Sequence, residues 1–123
     1  MRRGRRAVVL VRSAILVAGL AGAGGALGHH GWTGYDEERT LTLTGTIREP
    51  RYEQPHGTIR LETADRAWSV VLAPPTRMQA RGLAREALAP GAKATVVGYP
   101  HREKADELRA ERITVGGKTT ELR

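Results

Sequence analysis

From Leu41 onward, the apolar positions of this chain recur every second residue. "TLTLTGTI" sets Leu41, Leu43 and Ile47 on one face and threonines on the other, the alternation of a strand with one buried face. Gly45 inside it marks a bulge or sharp bend. "GTIRLET" places Ile59 and Leu61 on one face, and "AWSVVLA" does the same with Trp68, Val70 and Leu72. "AKATVVGY" supplies a fourth strand with Val96 and Val97, and "ELRAERITV" a fifth. Gly116 and Gly117 then signal a turn before a short C-terminal segment, "KTTEL".

One stretch breaks this rhythm. Pro74 to Leu88, "PPTRMQARGLAREAL", lacks alternation and is rich in good helix formers. It predicts one or two helical turns, with Thr76 as a candidate cap and Gly82 as an interruption. The order strand, strand, strand, short helix, strand, strand predicts an all-β fold. It fits a small OB-fold-like barrel of five to six strands, with the one short helix between strands 3 and 4. A different small barrel or a sandwich is the alternative.

Residues 1–28 read as an address. "MRRGRR" is basic and free of acid, and "SAILVAGLAGAGGA" is apolar but shorter than the roughly 20 residues that span a bilayer. Ala26 and Gly28 are small residues at the −3 and −1 positions of a cut after Gly28, the pattern of a secretory signal peptide. Ala21 and Ala23 offer another cut upstream. Arg5 and Arg6 ahead of "AVVL" also resemble a twin-arginine export signal. The expected organisation is a signal peptide over 1–28 and an OB-like barrel domain over 29–123, periplasmic or secreted, with no stable membrane span after cleavage.

Export changes the meaning of the charge. The net charge of +7 invites a nucleic-acid reading, but five of the twenty basic residues lie in the leader, leaving 15 against 13 acidic ones. Phosphate-backbone affinity needs a clustered positive face, and none is visible in the sequence, so no nucleic-acid partner is expected. The chain has no cysteine, which excludes disulfides, thiolate metal sites, cysteine nucleophiles and lipid-modified cysteine anchors. Its serines are Ser13, in the leader, and Ser69, in a strand, so no serine triad is credible. No glycine-rich phosphate loop follows a strand. No catalytic motif is recognised.

Four histidines remain, and none lies within a predicted strand. His29 and His30 open the mature arm, His56 lies in the loop between strands 1 and 2, and His101 lies in the loop between strands 4 and 5. In an OB-fold these two loops flank the usual ligand face. Imidazole suits copper and zinc. Cleavage after Gly28 would give His29 a free α-amine beside its ring, a chelating pair, and His56 or His101 would complete a T-shaped copper site. His29, His30, His56 and His101 are therefore the candidate ligands, with copper or zinc as the candidate ion. The alternative gives them structural work: His101 pairs with Asp106 or Glu107 in its own loop, a Pro-His turn caps backbone groups, and the His-His pair leads Trp32 and Tyr35 onto the barrel as a staple. Trp68 reads as core. Tyr52 and Tyr99 either line a pocket or cover a barrel end, and Asp36 is a candidate to orient a histidine ring.

Taken together, the pieces "HHGW", Asp36, "LTLTGTI", "QPH" at 54–56, "WSV" at 68–70, "LAPGAKATVVGYP" and "LRAERITV" resemble a group of small exported bacterial proteins of unknown function. Their pattern is a His-His pair at the mature N-terminus, then an Asn-Pro-His loop, a W-x-V strand and an L-x-P-G turn. Gln54 stands here where that group tends to have asparagine. The resemblance implies an exported OB-like domain in which His29, His30 and His56 are the matching positions; it implies no activity, and His101 lies outside it. The expected role is a small binding module for a metal ion. The alternative is a metal-free adaptor holding an envelope protein or glycan on the same loop face.

Overall fold

A computed structural model of the chain describes residues 31–123. The expectations for the leader, His29 and His30 lie outside the described residues. Six strands form, β1 (Leu41–Arg51), β2 (Thr58–Glu62), β3 (Ala67–Val71), β4 (Lys93–Pro100), β5 (Glu107–Val115) and β6 (Lys118–Glu121). A short helix α1 (Pro75–Ala80) and a 3-10 turn over Arg85–Leu88 lie between β3 and β4. The sheet order is β3-β2-β1-β4-β5-β6, and a parallel β3–β5 pairing joins its ends into a closed five-stranded barrel with β6 as an added strand. This is the small all-β, OB-like barrel that the alternation predicts.

The apolar faces read from the sequence form the core. Ile47, Ile59, Leu61, Val70, Leu72, Val96, Leu108 and Ile113 are almost fully buried there, with Trp68 among them. Burial of one such side chain stabilises the fold by about 1.5–3 kcal/mol. Met78 of α1 and Leu88 of the 3-10 turn join this core. Tyr52 is buried with them, its hydroxyl donating to the Leu83 carbonyl at 2.6 Å.

Three local expectations differ from the outcome. β1 continues through Arg51, past the predicted end at Ile47, and its register shift falls between Arg48 and Arg51, where Glu49 takes a positive φ of 43°. Gly45 is not the bulge. It pairs with Ala94 of β4 just before Thr46, which pairs with both Lys93 of β4 and Glu62 of β2, and a Cβ there would collide with the Glu62 carbonyl. Thr76 does not cap α1: Pro74 occupies the cap position without a side-chain hydrogen bond, and Pro75 starts the helix because its missing N–H is not needed there.

Candidate functional site: an arm strapped over a buried arginine

β5 alternates inward at Leu108 and Ala110, which sends Arg109 to the outer side of the barrel. Arg109 is nevertheless only 5% exposed. The arm from Gly31 to Asp36 covers it. Nη1 of Arg109 donates to the Gly31 carbonyl at 2.8 Å, and its guanidinium lies 4.6 Å from the centre of the Trp32 ring. Arg123 stacks on the same indole at 4.4 Å, and Tyr99 meets it edge-on at 6.1 Å. Trp32 is thus fixed by two cations and an aromatic edge, a strong anchor for an irregular segment.

The second nitrogen of the fork, Nη2, contacts Nε2 of His56 at 3.1 Å. A guanidinium has no acceptor, so Nε2 is the accepting nitrogen and the His56 proton sits on Nδ1. Burial, followed by Arg109 and Arg77, holds the His56 pKa below that of an ordinary histidine, which keeps the ring neutral. Arg109 makes no ion pair among the described residues, and its Nε is buried without an acceptor. Burial lowers its pKa from the usual arginine value.

The other end of the arm is tied near the loop between β4 and β5. The Tyr35 hydroxyl donates to Oε2 of Glu107 at 2.8 Å, and its ring meets His101 edge-on at 5.0 Å. Burial and this carboxylate push the Tyr35 hydroxyl pKa up. The backbone adds a bridge between Tyr35 and His101, a bond from the Asp36 N–H to the Pro100 carbonyl at 2.9 Å, and one from the Arg102 N–H to the Gly34 carbonyl at 2.9 Å. The arm therefore runs along β5 from Arg109 to Glu107, and the loops bearing His56 and His101 stand at its two ends.

The two loop histidines differ in what they have left to offer. Nδ1 of His101 accepts the backbone N–H groups of Glu103 and Lys104 at 3.1 and 3.0 Å, and its Nε2 lies 3.9 Å from Glu107. Its lone pair is occupied in shaping its own loop. Among the described residues His56 has one partner, the Arg109 fork. Among the described residues Asp36 makes no hydrogen bond to a histidine; its carboxylate accepts the Glu38 N–H at 3.2 Å and sits 4.0 Å from Arg102. Asp106 pairs with Arg66 at 3.1 Å. Among the described residues, no group of three or more His, Asp or Glu side chains is arranged to hold a metal ion. His29 and His30, the other candidate ligands, lie outside the described residues, directly ahead of Gly31.

Arg109 is the residue that the alternation did not single out. One signal for it is present. Apolar positions fall on even numbers at Leu108 and Ala110 and on an odd number at Ile113, a phase change that marks the bulge opposite Val97 and Gly98. The burial of Arg109 comes from the arm, which no local pattern encodes.

A family model described as a family of unknown function (DUF6152) matches residues 17–109. No curated protein matches. Solved structures match the chain in part. One is a complex of TiaS with its tRNA and ATP, 22% identical over 72% of this chain and 19% of that one, at a TM-score of 0.50. Others are apo TiaS, a tRNA agmatidine synthetase, 24% identical over 65% of this chain and 18% of that one (TM-score 0.49), and a ZRD-deleted TiaS mutant with agmatine, 23% identical over 72% and 25% (TM-score 0.49). This chain spans only about a fifth to a quarter of their length. At that identity the likeness is one of fold.

Proposed function

The chain belongs to this family of unknown function, and we propose that it is an exported binding module that holds a copper or zinc ion with His29, His30 and His56. The observation that carries the reading is the Arg109 fork, which holds the Gly31 carbonyl with one nitrogen and the His56 ring with the other. His30 precedes Gly31 in the sequence, so the fork links the residue that follows the His-His pair to the His56 ring. His56 is also kept neutral, the protonation state a metal ligand needs. Export rests on the basic and apolar pattern of residues 1–28. Among the described residues no helix is long and apolar enough to cross a membrane.

Ligation by His56 is an exchange. Its Nε2 lone pair faces Arg109, so an ion at that nitrogen replaces the guanidinium contact, while the Gly31 carbonyl and the Trp32 face continue to hold the arginine. His101 is not part of the proposed set, because Glu103 and Lys104 already occupy its Nδ1. The occupied lone pair of His56 favours the second reading, a metal-free adaptor for an envelope protein or glycan on the arm face. Calorimetric titration of the chain beginning at His29 with copper and with zinc separates the two. The metal reading predicts one ion per chain, lost in His56→Ala and retained in His101→Ala. Equal uptake by wild type and His56→Ala, or no uptake, leaves the adaptor.

A further inference from the structure

A cleft of about 500 Å³ opens beside the loop between β4 and β5, away from Arg109. It falls within the size range of small-molecule sites, about 300–1,000 Å³. Leu41 and Leu43 of β1 and Trp68 of β3 are its apolar lining, and Arg39, Arg66, Arg102 and His101 line it as well. The leucines are only partly buried although their strand faces the core. Three arginines thus stand beside two partly buried leucines and the edge of a core tryptophan.

The arginines are held in place without being used up. Arg66 stacks on Trp68 at 4.3 Å and gives one nitrogen to Asp106 at 3.1 Å. Arg102 approaches Asp36 at 4.0 Å, the outer limit of an ion pair. Neither carboxylate lines the cleft. Arg39 makes no ion pair and no side-chain hydrogen bond among the described residues. Each guanidinium carries five donors, so most remain for a ligand. Asp65 and Glu103 also line the cleft and reduce its positive surplus to one charge.

We propose that this cleft binds a single-chain amphipathic carboxylate, its head on Arg39 and its neighbours Arg66 and Arg102, its hydrocarbon body against Leu41, Leu43 and Trp68. The planar fork of arginine matches a carboxylate with two parallel hydrogen bonds, which favours this head group.

The test is a titration of the mature chain with decanoate, followed by calorimetry and by amide and indole NMR shifts. The expected result is one decanoate per chain, with shifts at Leu41, Leu43 and the Trp68 indole. Arg39→Gln, which removes no hydrogen bond or ion pair among the described residues, weakens binding about tenfold, the scale of one charge-assisted bidentate contact. Asp65→Asn, which removes a competing carboxylate, tightens it. Decanol, with the same body and no charge, binds much more weakly. Equal binding of decanol and decanoate, an unchanged affinity in both variants, or no binding at millimolar decanoate overturns the proposal.

Discussion

Nη2 of Arg109 lies 3.1 Å from Nε2 of His56, a cation hydrogen-bonded to a neutral ring beneath a strap of backbone. The arrangement ties a strand, a loop and the N-terminal arm through one side chain. It also fixes the His56 tautomer, because the fork can only donate.

The nature of that link sets the outcome at Arg109. Arg109→Met roughly keeps the volume and removes a buried charge that has no carboxylate partner among the described residues, which relieves the cost of burying that charge while giving up its two hydrogen bonds. Arg109→Lys keeps a charge but loses the fork that spans Gly31 and His56. The lysine variant is therefore the less stable of the two, by about 1–3 kcal/mol. Urea unfolding of both variants checks the order; a methionine variant weaker than the lysine variant contradicts it.

The depressed pKa of His56 makes stability depend on pH with a definite sign. The unfolded ring titrates near 6.5 and the folded ring below it, so the unfolded chain binds more protons in between. This contribution is complete above the unfolded value and is lost as pH falls through the window down to the folded value. His56→Gln flattens the part of the stability slope that lies just below about pH 6.5. Urea midpoints at pH 7.5 and 5.5 for wild type and variant measure the difference; parallel slopes would falsify this assignment.

Trp32 is the anchor of the strap. Trp32→Ala removes both arginine stacks and the contact with Tyr99, and costs about 3–5 kcal/mol if the strap is an integral part of the fold. Hydrogen exchange localises the effect: the Tyr35 and Asp36 amides, bonded to the Trp32 and Pro100 carbonyls, lose protection first. Retained protection at both amides would show that the arm is held by its Tyr35 end alone.

Gly98 reports the crowding beneath the same site. A Cβ at Gly98 would meet the Arg109 carbonyl and the Ala110 Cα within the β4–β5 ladder. Gly98→Ala therefore costs about 3 kcal/mol through displaced backbone. Gly116→Ala, with a φ of 58° and open space around it, costs about 1 kcal/mol through conformation alone. Thermal melts of the pair check the ranking.

The barrel was legible because its strands obey one period. Ile59 with Leu61, and Trp68 with Val70 and Leu72, alternate cleanly, and Gly116–Gly117 marks the last hairpin. The extension of β1 through Glu49 was not, because a residue at positive φ within a strand carries no compositional mark. The site was legible in half. His56 and His101 read as loop residues, and both lie outside the six strands; Trp32 and Tyr35 read as staples because aromatic side chains in a polar arm need a surface to cover. The partners of His101 within its loop, Glu103, Lys104 and Glu107, are near in sequence, and Glu107 was one of two acids read there; the partner of His56, Arg109, is 53 residues away and left no local mark.

The central claim is that the His-His pair opens the mature chain and joins His56 around one ion. Native mass spectrometry of untagged protein, recovered from the periplasm without chelator, reads the N-terminus and the bound ion in one spectrum. The account predicts a chain beginning at His29 that carries one copper or zinc ion. A chain beginning elsewhere, or one beginning at His29 that takes up no stoichiometric metal when it is added, contradicts it.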